Sequence, residues 1–254
     1  MYKNIFMAMV FFATLIASGG LMSADTKSAT KQTVLVTGAN RGIGLEFARQ
    51  LKQRGYHVIA TARSPERATE LKALAVQVEQ LDVTDANSVS ALAEKLKGNQ
   101  IDMLINNAGV KGDAKATLQT LDFDQIANTY DVNTFGPMRV TQALYPNLKL
   151  GSGKKIIHIS SIMGSIENNG GGYYDYRSSK TALNQLNKSL ALELADEGFI
   201  SVVLHPGWVK TDLGGANASL TTTTSVNGLM KVIEQLSADD NAGFIDYQGN
   251  QLPW

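Results

Sequence analysis

Residues 170–180, GGGYYDYRSSK, gather three tyrosines, an arginine and a lysine behind three glycines. In a helix, side chains at i and i+4 share a face. That spacing stacks Tyr176 one turn below Lys180, Tyr173 below Arg177 and Tyr174 below Ser178. Only the first pair sets a phenol beside an ammonium that can lower its pKa and suit it to acid–base work. Arg177 points off that face. Tyr173 and Tyr174 are expected in the loop before it, lining or covering a substrate site.

The flanking elements follow from apolar patterning. Short β-branched runs at 33–37, 57–62, 76–83, 101–109, 154–160, 200–206 and 243–247 read as strands. Helical periodicity runs from Ile43 to an end at Gly55 and fills 85–97, 122–149, 176–197 and 225–236, with Pro65 in the first turn of another helix and Asp85 as a cap. Strand–helix alternation repeated six times predicts one doubly wound Rossmann-type α/β domain with about seven mostly parallel strands and helices on both faces. The longest irregular stretches, 161–175 and 207–224, both follow strand C-terminal ends, where open α/β sheets bind ligands.

One turn has its own chemistry. TGANRGIG (37–44) leaves the first strand and opens the first helix, with Gly38, Gly42 and Gly44 spaced G-x-x-x-G-x-G. Glycines permit a tight turn and close backbone approach to a pyrophosphate, which a helix N-terminus favours. At the tip of the second strand a carboxylate would favour NAD(H). Arg63 stands there instead, with Arg41 inside the turn. Two guanidiniums suit a 2′-phosphate, so NADP(H) is expected over NAD(H).

The 254 residues are 44% hydrophobic and 18% charged, with 23 basic and 23 acidic side chains. Such a balance gives no reason to expect a nucleic-acid partner. Cysteine is absent, which excludes disulfides and thiolate metal sites, and with only His57, His158 and His205 no metal centre is expected. His57 and His158 read as structural. The N-terminus stands apart: Lys3, an apolar run over residues 5–17, then small and polar residues. This has the regions of a secretory signal, cleaved after Ala24 or near Gly20, or, extended to Met22, of an uncleaved membrane anchor. Residues 1–30 are therefore expected to be a leader plus linker, 31–254 the folded domain, and the protein exported to the periplasm or membrane-anchored, with a cytoplasm-facing anchor as the alternative.

Seven motifs in order, TGANRGIG, LDV (81–83), NNAG (106–109), VN (132–133), ISS (159–161), YRSSK (176–180) and HPGWVKTD (205–212), resemble the short-chain dehydrogenases/reductases from residue 33 to the end. HPGWVKTDLGG and the final GNQLPW are similar to the carbonyl-reductase branch with Sniffer-type enzymes and bacterial C-factor proteins. The resemblance implies Tyr176 as general acid and Lys180 as the ribose-binding residue that favours the phenolate. It implies Ser161 as orienter of the carbonyl and Asn133 as holder of a water linking Lys180 to solvent. It further implies cofactor contacts from Gly38, Asn40, Arg41, Gly42, Ile43, Gly44, Arg63, Asp82, Val83, Asn107, Ala108, Gly109, Pro206, Gly207, Val209 and Thr211, besides Tyr176 and Lys180. Ser160 competes with Ser161, and Asn133 competes with a purely structural role. Ser161 and Tyr176 are 15 residues apart, with extra length in ENNGGG (167–172) next to the substrate site.

The function so implied is NADPH-dependent reduction of a small-molecule ketone or aldehyde to an alcohol, in a homodimer or tetramer built through late helices. A cofactor-binding signalling or sensing protein is the alternative.

Overall fold

Short strands that are apolar on both sides need cover on both faces. In the computed structural model, which describes Met1 and residues 31–254, seven strands form one sheet among the described residues. They are β1 (Thr33–Val36), β2 (His57–Ala62), β3 (Gln77–Gln80), β4 (Met103–Asn106), β5 (Lys155–Ile159), β6 (Ile200–His205) and β7 (Phe244–Asp246). Their order is β3-β2-β1-β4-β5-β6-β7 and all six pairings are parallel, the Rossmann-type arrangement expected.

Alternation along each strand divides the core. Val34 and Val36 of β1 face α1 (Gly42–Gln53) and α7 (Thr222–Gln235), meeting Phe47, Leu51, Leu229 and Ile233. Leu35 faces the other way, toward α3 (Ala86–Lys95) and α5 (Gly136–Leu150), among Val89, Leu92, Val140 and Leu144. α6 (Tyr174–Glu193) packs on the second face against residues 123–135 and β6, and the short α2 (Thr69–Ala73) closes the first. As expected, Asp85 caps α3, its carboxylate accepting the Asn87 N–H.

Some boundaries differ for physical reasons. The long helix expected over 122–149 is α4 (Phe123–Tyr130), a π-helical turn (Asp131–Phe135) and α5. β4 ends at Asn106, because the backbone of Asn107 and Ala108 turns to bond Thr37. α6 begins at Tyr174 and α7 at Thr222, whose cap Thr221 accepts the Thr224 N–H. After Pro65 the chain makes one 3₁₀ turn (Pro65–Arg67) before α2.

The expectation of an exported or membrane-anchored protein is corrected: no helix among the described residues is long and apolar enough to cross a membrane. The apolar run over 5–17 and its cleavage sites lie outside the described residues.

Candidate active site

β1 delivers the chain into a glycine turn that is locked to the end of β4. The Thr37 hydroxyl accepts the N–H groups of Asn107 (2.9 Å) and Ala108 (3.0 Å). In return the Asn107 amide donates to the carbonyls of Thr37 (2.9 Å) and Gly38 (3.1 Å). Gly38 has φ +62°, and a Cβ there would lie 2.9 Å from the Ala108 Cα. A Cβ on Gly44 would meet the Asn107 amide nitrogen at 2.5 Å. The glycines thus let two strand ends touch. Arg41, the residue before α1, makes no side-chain cap, and no acidic residue occupies the first turn. The first-turn N–H groups keep their positive end free for an anion.

The chemistry-bearing side chains converge beyond the C-terminal ends of β4 and β5. Tyr176 and Lys180 are both buried one turn apart on α6, with the Lys180 Nζ 5.9 Å from the Tyr176 ring centre. That ammonium donates to the Ile159 carbonyl at 2.8 Å. Ser161 caps the 3₁₀ turn Ile162–Gly164, its hydroxyl accepting the Met163 N–H, and it faces the Tyr176 phenol closely enough to lower its pKa. Ser160 is turned the other way and donates to Asn184 at 2.6 Å, which separates the two serines.

The electrostatics differ from the expected phenol lowered by its lysine. Burial pushes the Tyr176 phenol up to about 12, against the smaller lowering effect of Ser161. Burial likewise pulls the Lys180 ammonium down to about 8. A low-dielectric pocket penalises both charged forms.

Asn133 lies in the π turn and is fully buried. Its Oδ1 accepts the Val110 N–H (2.8 Å), and its Nδ2 donates to the Val110 carbonyl (2.9 Å) and the Ser179 hydroxyl (3.1 Å). Both donors are committed to protein groups. π turns recur at functional sites because they locally re-aim the backbone. A Cβ on Gly109 would stand 3.2 Å from the Asn133 Oδ1 and 3.8 Å from the Lys180 Nζ, so Gly109 borders both.

The remaining sequence-predicted positions ring the same edge. Asp82 accepts from Thr84, and the positive charge of Arg63 acts on it, although burial is the largest influence on its carboxyl. Val83 is buried against Gly136. The segment after β6 folds over the glycine turn: Val209 pairs with Leu220, the Pro206 carbonyl accepts from Ser225 (2.6 Å), and the Thr211 methyl would lie 3.3 Å from a Cβ on Gly42. Arg41 reaches across to Asp212 at 3.1 Å, with both side chains exposed. Among the described residues no cluster of three or more His, Cys, Asp or Glu suits a metal ion.

Sequence reasoning missed Thr37, Asn184, Asp212 and Asp175. Thr37 directly precedes the first glycine, a usable signal. Asp175 is visible only as the neighbour of Tyr176, because its partners lie 46 and 62 residues away.

The chain matches the family model for short chain dehydrogenases over residues 32–235. It is 44% identical over 165 residues to the C-signal protein of Myxococcus xanthus, which covers 65% of this chain and 99% of that protein. The structure of an NADPH-bound carbonyl reductase from chicken fatty liver has a TM-score of 0.82 and 37% identity, covering 88% of this chain and 99% of the other. The carbonyl reductase Sniffer of D. melanogaster has a TM-score of 0.84 and 34% identity, covering 88% and 100%.

Proposed function

Because this chain belongs to the short-chain dehydrogenase family of oxidoreductases, we propose that residues 31–254 form an NADP(H)-dependent reductase of small-molecule ketones or aldehydes. The observation that carries the reading is the buried cluster of Ser161, Tyr176 and Lys180 beside the glycine turn.

The chain's features fit the cofactor. The turn from Gly38 to Gly44 with its uncapped helix N-terminus suits a pyrophosphate, and Arg41 and Arg63 suit a 2′-phosphate. The Arg41–Asp212 pair is exposed and therefore weak, so exchanging the carboxylate for a phosphate costs little. The NADPH bound to the chicken relative supports the same preference. Held at the glycine turn by Gly38–Gly44 and Arg41, such a cofactor would supply the hydride for the carbonyl carbon.

The chain's own groups handle the oxygen and its proton. The Ser161 hydroxyl orients the carbonyl oxygen, and the Tyr176 Oη–H transfers its proton to that oxygen. A phenol near 12 stays protonated at neutral pH, ready to donate, and once deprotonated is quickly refilled. Lys180 stabilises the transient phenolate and binds the ribose hydroxyls. With the Asn133 side chain committed to Val110 and Ser179, a water linking Lys180 to solvent falls to the main chain of the π turn. Homodimers or tetramers belong to the same reading, with the exposed Leu150 and Leu192 of α5 and α6 as apolar surface.

NADPH oxidation against a panel of aldehydes and ketones tests this. Tyr176→Phe is expected to lower turnover at least ~100-fold while NADPH affinity stays within about twofold; turnover that survives the substitution refutes the proton-transfer role. The identity to C-signal supports a second reading, cofactor binding that signals without turnover. Tight NADPH binding with no carbonyl reduced would favour it.

A further inference from the structure

Asp175, the residue before the general acid, has only 2% of its surface exposed. No Lys or Arg pairs with it among the described residues. A buried carboxylate without a counter-ion is costly unless its lone pairs are filled. Here they are filled from three elements. Its Oδ2 accepts the Asp113 N–H at 2.8 Å and lies 3.2 Å from the Thr129 hydroxyl of α4, which also reaches the Gln125 carbonyl at 2.9 Å. Its Oδ1 accepts the Tyr176 N–H at 2.7 Å. Asp175 also stands in the first turn of α6, where the helix dipole favours a negative charge.

The loop that meets it is shaped for the contact. Gly112 has φ +72°, and any Cβ there would overlap the Asp175 carboxylate. Only glycine lets the chain pass this close. The same two segments are tied again by Lys111, whose ammonium lies 5.7 Å from the centre of the Tyr173 ring. Tyr173 itself takes a left-handed backbone, φ 49°, to turn the chain into α6. One residue inward, Val110 is clamped by Asn133.

We propose that Asp175 is a positioning residue: its carboxylate latches the loop at 110–113, which leaves β4 toward the cleft, onto the first turn of the catalytic helix, and so sets where the substrate sits relative to Tyr176. It touches no reacting atom. The latch shares no hydrogen bond with the glycine turn, which is held by Thr37 and Asn107, so it is expected to govern the carbonyl and not the dinucleotide. Its turnover readouts rest on the carbonyl-reductase reading; its structural readout does not.

The test uses the full chain with Asp175→Asn, which keeps the shape but turns an acceptor into a donor, and Gly112→Ala, which attacks the same seat from the loop. Each is expected to raise KM for the carbonyl at least ~5-fold, with kcat and the NADPH Kd within about twofold. The double variant is expected to be no worse than the more damaging of the two single variants, since both break one contact. Amide exchange at Asp113 is expected to accelerate at least ~10-fold while β4 amides stay protected. Unchanged KM alongside accelerated Asp113 exchange would overturn the proposal. So would additive effects, or NADPH affinity and kcat falling together with Tm, which mark general damage. If the wild-type chain reduces no carbonyl, the functional reading fails separately; Asp113 exchange then decides alone, and unchanged exchange in Asp175→Asn overturns the latch.

Discussion

At the residue scale, burial opposes the charge on both Tyr176 and Lys180, and the pH response follows from the two directions. The phenol, up at about 12, is protonated throughout the ordinary range. Lys180, down at about 8, carries its charge below that pH and loses it above. Carbonyl reduction is therefore expected to be level below pH 7 and to fall with a midpoint near 8, set by the lysine. Lys180→Arg, whose guanidinium stays charged, is expected to remove that limb from a pH–rate profile, though at lower overall rate. A limb near 10 that ignores the substitution would contradict the assignment. The pairing of Tyr176 with Lys180 was legible from i, i+4 spacing alone. The direction of their shifts was not, because desolvation depends on what α4, the π turn, β5 and the 161–164 segment lay over them.

At the element scale, the glycine turn and the end of β4 act as one unit through Thr37 and Asn107. Asn107→Ala leaves the carbonyls of Thr37 and Gly38 without this donor. The expected result is a stability loss of about 1–3 kcal/mol, read by urea unfolding, and NADPH binding at least ~10-fold weaker by fluorescence titration. If stability falls and NADPH affinity does not, the clamp supports the fold but not the cofactor site. TGANRGIG could be placed between strand and helix from sequence, and so could NNAG at a strand end. That the two lock together could not, since the partners are 69 and 70 residues apart. The π turn was also hidden: residues 122–149 carry unbroken helical periodicity, and the wider turn at Asp131–Phe135 appears only where Asn133 reaches Val110 and Ser179.

For the whole molecule, the buried histidines set the acid limit. His158 sits fully buried in β5, its Nδ1 3.2 Å from the Asn106 amide, and burial, with Lys180 nearby, pulls it down to about 3. His205, partly buried at the end of β6, is pulled down by burial to about 4. Between these values and 6.5 the unfolded chain binds more protons than the folded one, so stability falls as pH drops through that window. At pH 5 His158 alone is expected to cost about 2 kcal/mol relative to pH 7. Urea unfolding at both values checks this, and His158→Gln is expected to remove about half of the difference, the rest coming from His205. Equal stability of the wild-type chain at pH 5 and 7 would count against a neutral, buried His158. The order of strands and helices, the glycine turn and the Tyr176–Lys180 pair were determined by the sequence itself, since patterning at periods 2 and 3.6 and short-range spacing are local properties. Strand order, the separate partners of Ser160 and Ser161, the pKa directions and the contacts of Asp175 were decided only by the tertiary structure, because each depends on groups that meet across tens of residues and on the water their packing excludes.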